Sequence, residues 1–290
     1  MNKYILSCES TVDLKKDYLD KRDIKYVYSH YEVDGVAYPD DMEESMTFKD
    51  FYSKLRNGSD TKTFQINYQE FYNYFKTLLN EGKDIIHICL SSGLTSVINS
   101  ARLAKESLED DFPDQKIYLI DSLSASIGSG LILDKMADLR DEGYSIEDLY
   151  DWTEKNKLRA RAWFCTDDLS FFIKGGRISK TAGIVGGLLN VCPLMTVTSE
   201  GKLEVVQKVR GKKKVMMTLI EKMKEEAEDG LDYEDRLYIG HADAEEDAEI
   251  LKSMVQETFN KEIKIDTNFI GTTIGSHTGP GMLALCYWGK

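Results

Sequence analysis

The sequence predicts an α/β protein of two domains, an N-terminal domain on a parallel sheet and a C-terminal α/β domain on a mixed or antiparallel sheet. Three observations predict it. Through the first half, short β-branched or aromatic runs alternate with amphipathic stretches, the rhythm of βαβ units. Beyond Lys157 the character changes, and a strand hairpin enters the pattern. The chain's 290 residues, 42% hydrophobic and 10% aromatic, sit at the upper limit for one packed core and divide more naturally into two. The predicted division is 1–158 and 159–290, with no Pro/Gly/Ser-rich linker to mark it.

Tyr4–Cys8, Ile85–Leu90 and Ile117–Ile120 read as buried strands, each followed by a polar or small-residue turn and a helical pattern. Tyr26–Val33 and Val36–Tyr38 flank Asp34-Gly35, a two-residue hairpin signal that adds an antiparallel pair to the first unit. Helices are predicted over Thr47–Arg56, Tyr68–Glu81, Ser96–Glu109, Ala125–Glu142 and Ile146–Lys157. In the second half Ala160–Thr166 reads as a strand and Ala182–Asn190 as a small-residue helix. Leu194–Thr198 and Leu203–Val209 form a hairpin closing at Glu200-Gly201. Helix Lys213–Glu228, strand Arg236–Gly240, helix Glu245–Phe259, strand Ile263–Phe269 and strand Met282–Trp288 complete the chain.

A net charge of −13 opposes binding to nucleic acid, whose phosphates are held chiefly by Lys and Arg, and anionic membranes would repel the chain too. The five cysteines, Cys8, Cys89, Cys165, Cys192 and Cys286, are widely spaced in mostly apolar runs, which suits buried free thiols rather than disulfides or metal. Glu9 and Asp13 end the first apolar run, and Asn190 and Pro193 interrupt the longest later one, so neither a secretory signal nor a membrane span is expected. A reduced, cytoplasmic location follows, and a monomer is the expected state.

Ile270–Gly281 is unlike the rest of the chain and reads as a binding loop. Gly271, Gly275, Gly279 and Gly281 permit close approach where a Cβ would clash, Pro280 stiffens the turn, and Ser276, His277 and Thr278 present donors. That combination suits a small anionic head group. A second candidate is Ser91–Ser96, between the strand ending at Leu90 and the next helix, where ligands collect above an open α/β sheet and a helix N-terminus favours an anion. Plain N-capping by Ser or Thr explains the same residues. Basic residues gather at Lys174, Arg177 and Lys180 and at Arg210, Lys212, Lys213 and Lys214, either a solvated face or a docking patch for an acidic partner.

Six blocks, in order along the chain, resemble the DegV family of bacterial fatty-acid-binding proteins. They are Thr63-Phe-Gln65 with Glu70-Phe71, Ser91-Ser-Gly-Leu-Thr95, Asp121-Ser122 with Ser126, Gly128 and Gly130, Lys174-Gly-Gly-Arg-Ile-Ser179, Arg210-Gly-Lys-Lys-Lys214, and Ile-Gly-Ser-His-Thr-Gly-Pro-Gly ending at Gly281. The resemblance implies a DegV-like fold with the ligand between the domains. It also implies that Thr63, Thr95, the amide of Ser96, His277 and Thr278 meet the carboxylate of a long-chain fatty acid near the surface. Burying methylenes yields roughly 0.8 kcal/mol each, so the tail, enclosed in a dry channel, should dominate affinity. Ser122–Leu133 and Ala182–Leu189 could line that channel, although their residues by themselves favour an ordinary role as packed helix faces. The implied partner is the catalytic subunit of a fatty acid kinase, which phosphorylates the carboxylate; an acyltransferase then uses the acyl phosphate for phospholipid synthesis. Arg177 and Arg210 are the expected partner-contact residues. No cofactor or catalytic activity of the chain itself is implied. Phe64, Ile66 and Ser96 depart from the family's usual small residue, proline and glycine, which leaves acyl preference open.

Two rival readings are a sensor of small acids and an enzyme using Ser276 and His277. The second is disfavoured by sequence, because histidine and not serine stands at the centre of Gly275–Gly279, so no nucleophile elbow results. Walker A and His-Glu-x-x-His motifs are absent.

Overall fold

The computed structural model describes residues 4–179 and 191–290. Strands β1 (Ile5–Glu9), β2 (Ile24–Val27), β6 (Ile85–Cys89) and β7 (Ile117–Asp121) form a parallel sheet in the order β2-β1-β6-β7. Every residue of β1 and β6 is buried, which is why these strands read as unbroken apolar runs rather than as alternating ones. A second sheet holds β8 (Ala160–Cys165), β9 (Val191–Val197), β10 (Leu203–Arg210), β11 (Leu237–His241), β12 (Ile265–Phe269) and β13 (Leu283–Trp288). Its order is β10-β9-β8-β13-β11-β12, antiparallel except for the β11–β12 pair, so the sheet is mixed.

A third, antiparallel sheet corrects the sequence reading. Tyr26–Val33 is not one strand. The chain leaves the parallel sheet after β2 and starts a new strand, β3 (His30–Val33), which pairs with β4 (Val36–Pro39) and β5 (Thr61–Phe64) in the order β4-β3-β5. The break is held by hydrogen bonds made at Ser29, whose amide donates to Ser10 Oγ and whose carbonyl accepts from the Asp40 amide. The predicted turn is present: Asp34 and Gly35 both have positive φ, 51° and 84°, as a primed two-residue turn requires.

The helices of the first half are α1 (Lys16–Lys21), α2 (Phe48–Arg56), α3 (Tyr68–Leu79), α4 (Val97–Leu108), α5 (Ile127–Asp141) and α6 (Ile146–Asn156). Local chemistry sets several starts. Thr47 and Ser145 cap α2 and α6 through their hydroxyls, and Asn67 with Glu70 forms a complete capping box on α3. Short α7 (Ser170–Lys174), then α8 (Lys212–Glu226) and α9 (Glu245–Thr258), belong to the second half. The predicted helix over 182–190 lies outside the described residues.

Helix α5 ties the two main sheets together. Twelve of its fifteen residues are buried, and it packs on β8, β11 and β13 of the second sheet. One hydrophobic cluster accordingly runs from Leu6 and Ile86 through Leu131 to Leu285. Buried Asp134 on α5 is compensated by the Arg236 guanidinium at 2.5 Å, which also lies 3.1 Å from the Tyr18 hydroxyl.

The segment expected as a loop, Ile270–Gly281, contains a helix, α10 (Thr272–Thr278). Its glycines serve packing. A Cβ on Gly275 would lie 2.5 Å from the Tyr52 hydroxyl, so α10 can nest on α2 only with glycine there. The seven-residue helix also contacts α7, β3 and β5, and this burial sustains a helix too short to form alone.

Candidate functional site

Helix α10, strand β5, the Ser91–Ser96 loop and the second sheet enclose a cavity of about 260 Å³. One wall is apolar: Ala162 and Phe164 of β8, Ala284 and Cys286 of β13, and Val197 and Leu203 of the β9–β10 hairpin. Phe172 on α7 and Ile127 at the start of α5 extend it.

The polar part of the lining is contiguous. Thr63 on β5 and His277 on α10 meet with Oγ1 and Nε2 2.8 Å apart. Gln65 and Thr95 line the cavity beside them, the Thr95 hydroxyl donating to Gln65 Oε1 at 3.3 Å. Thr278 and Arg177 also face it. Phe64, 46% exposed, and exposed Gln65 place this polar group at the solvent side.

His277 is neutral at ordinary pH. Burial first, and then the neighbouring Arg177 guanidinium, hold its imidazole down to about 4. It can approach because Gly175 has no side chain; a Cβ there would overlap Nδ1. That nitrogen is buried without a hydrogen-bond partner among the described residues. Arg177 is half-buried, and its guanidinium donates to the Gly175 carbonyl. The site therefore offers hydroxyls, an amide side chain, a neutral imidazole and one fixed cation, a set suited to a single anionic group beside an apolar body.

Of the residues expected from sequence, Thr63, Thr95, His277 and Thr278 are brought to one cavity. Ser96 is not among its lining residues; its exposed hydroxyl donates to Gln65 Oε1 at 2.9 Å, so it supports the site through Gln65. Arg177 lines the cavity, whereas Arg210 ends β10 with its side chain exposed and away from it. The expected basic patch is partly neutralised, since Lys174 pairs with Asp60 and Lys212 with Asp167 and Asp247. Lys180 lies outside the described residues. Ile127, with Ala125 and Ser126, lines the cavity as expected of Ser122–Leu133, while 182–189 is not described.

Ser276 is a correction. Its hydroxyl donates to the Thr272 carbonyl and meets Thr61 Oγ1, both at 2.8 Å, and it does not line the cavity. His277 Nε2 is engaged with Thr63 instead, so the two neighbours form no nucleophile–base pair.

Four polar lining residues were missed: Glu9, Ser29, Gln65 and Thr273. Gln65 stood inside a quoted motif and carried a signal. Glu9 carried none beyond being an acid at the end of an apolar run. It is 1% exposed, and burial pushes its carboxyl up to about 7 against hydrogen bonds from the Leu90 amide and the Thr11 and Cys89 side chains.

Fold and site together define a three-sheet α/β protein with an apolar cavity and a polar mouth. The family model "Uncharacterised protein, DegV family" matches residues 6–290, and the chain belongs to the DegV family. It is 35% identical to a DegV domain-containing protein of Clostridium perfringens, over 100% of this chain and 98% of that one. Among solved structures, it resembles a DegV family protein from Thermus thermophilus described by its fatty acid binding, at 25% identity and TM-score 0.87, over 99% of this chain and 100% of that one. The fold is also that of the Streptococcus pneumoniae fatty acid kinase B3 protein loaded with linoleic acid, at 23% identity and TM-score 0.85, covering 99% and 100%. No described helix is long and apolar enough to cross a membrane.

Proposed function

We propose that this chain binds a long-chain fatty acid, its tail in the apolar cavity and its carboxylate at Thr63, Thr95, His277 and Thr278, with Ser96 contributing through Gln65. The observation that carries the reading is the Thr63–His277 contact at the polar edge of an otherwise apolar cavity, which joins residues 214 positions apart in the chain. Burial of each methylene contributes roughly 0.8 kcal/mol, so the apolar wall supplies most of the affinity and the mouth sets orientation. Arg177 gives the head group a fixed positive neighbour.

The chain acts as a carrier without catalysis of its own and presents the carboxylate to the catalytic subunit of a fatty acid kinase. The acyl phosphate then serves phospholipid synthesis through an acyltransferase. The name of the Streptococcus pneumoniae neighbour supports this step, and Arg210 and Arg177 are the residues we propose face the kinase.

Native mass spectrometry of protein expressed in bacteria should recover one fatty acid per chain, and recovery of a nucleotide or sugar phosphate would exclude the reading. With a kinase subunit and labelled ATP the complex should yield acyl phosphate. His277→Ala should weaken retention about tenfold or more, the cost of one lost hydrogen bond in a desolvated site, with the fold intact by circular dichroism. Unchanged loading and phosphorylation in that variant would remove His277 from the site.

A further inference from the structure

The loop that carries Thr95 is pinned from outside by the tip of the β9–β10 hairpin, a contact between the parallel sheet's loops and the far edge of the second sheet. Ser91 is fully buried; its hydroxyl donates to the Gly201 carbonyl at 2.8 Å and accepts from the Gly93 amide at 3.1 Å. The Ser91 carbonyl in turn accepts from the amides of Leu94 and Thr95 at 3.0 and 3.1 Å. Ser91 thus knits its own loop and bolts that loop to the hairpin.

The fit is close on both sides. A Cβ on Gly93 would lie 2.5 Å from the Glu200 carbonyl oxygen, and one on Gly201, whose φ is +71°, would overlap Ser91 Oγ. Gly201 is buried while Glu200 and Lys202 on either side are exposed, so the tip of the turn plugs into the loop and its flanks face water. The turn is internally braced: Thr198 and Lys202 close it through the Thr198 amide and Lys202 carbonyl at 2.8 Å, and Thr198 Oγ1 accepts from the Glu200 and Lys202 amides. The same hairpin contributes Val197 and Leu203 to the apolar wall, and the loop contributes Leu94 and Thr95. Moving the hairpin therefore opens the wall and frees the loop in one displacement. Among the described residues β10 has no strand partner on its outer side, and most of its side chains are half-buried or exposed, so the hairpin is held along one edge only.

We propose that the turn at 198–202 is a clasp, closed by Ser91 and Gly201, that positions the Ser91–Ser96 loop and sets the rate at which a bound acid leaves the cavity; the rate part rests on the fatty-acid reading above. Ser91 and Gly201 are positioning residues, acting on the ligand through the loop.

The test uses the full chain as wild type, Ser91→Ala, Gly201→Ala and, as a control at an exposed neighbour, Lys202→Ala. Dissociation of a fluorescent polyene fatty acid is followed by stopped flow, and hydrogen exchange of the 91–96 amides is measured without ligand. Either clasp variant should release the probe about tenfold faster, with faster exchange at Leu94 and Thr95 and a matching association rate, while Lys202→Ala behaves as wild type. A purely structural lesion would instead lower the fraction of chains able to bind, leaving the dissociation rate of the bound fraction alone. If one variant fails to fold, the other decides. Wild-type binding with unchanged release in the variants overturns the clasp and leaves the fatty-acid reading standing. Wild-type failure to bind the probe overturns the fatty-acid reading and the rate role, and the exchange data then decide the positioning role: no change at Leu94 and Thr95 overturns that as well.

Discussion

Glu9 shows how burial gives a residue a role that its type alone does not announce. Its carboxyl, lining the apolar cavity, is pushed from 4.5 up to about 7 because water is excluded from it. A folded-state pKa raised above the unfolded value means that this group's stabilising contribution is fully present below about pH 4.5 and is lost as pH rises through about 7. Glu9→Gln removes that dependence. Urea titrations should therefore show the variant gaining on wild type between pH 4.5 and about 7.5, by roughly 3 kcal/mol. Asp134, also raised to about 7, is common to both proteins and cancels in the difference. A constant difference across that range would mean Glu9 keeps its charge in the folded chain. Thr63 and His277, by contrast, were legible from sequence because each sat in a distinctive block; their direct contact was not, since β5 and α10 meet only through tertiary packing.

At the scale of elements, strands and amphipathic helices were readable where one face, or both, is buried by design of the fold. β1, β6 and β7 and helices α2 to α6 fall within a few residues of their predicted spans, because hydrophobic periodicity and capping residues such as Thr47 and Asn67 are local signals. Four elements were not read: α1, β5, α7 and α10. Each is short, and β5, with Thr61-Lys-Thr-Phe64, lacks the apolar run of a central strand. For α10, glycine and threonine content argues for a loop, and helix wins only because packing on α2 and α7 outweighs propensity. Gly275→Ala tests this. Helix propensity favours alanine, yet the new Cβ meets the Tyr52 hydroxyl and the Phe51 ring, so the substitution should cost about 1–3 kcal/mol of stability in a thermal or denaturant melt. A stabilised variant would show that α10 is not held against α2.

For the whole molecule, the decisive feature is a void that packing leaves open between the second sheet and α10. Leu for Ala284 would place three more carbons in the cavity. The ligand-free chain should melt at the same or a higher temperature, because the void shrinks, while affinity for a sixteen-carbon acid falls about tenfold or more and that for an eight-carbon acid changes little. Equal losses for both acids would place the tail elsewhere. Helix α5 also belongs to this scale: it is buried on nearly every face, and the Asp134–Arg236 pair secures it to the second sheet.

The sequence by itself determined the two-part α/β layout, the family, the buried thiols and four residues of the cavity mouth, because periodicity, turn chemistry and ordered motifs are written locally along the chain. Tertiary structure decided the rest. It made a helix of an apparent loop, turned Ser276 inward, raised the Glu9 carboxyl and set the hairpin tip on Ser91. Each of these depends on which distant surfaces exclude water from one another, and that is a property of the packed chain rather than of any segment in it.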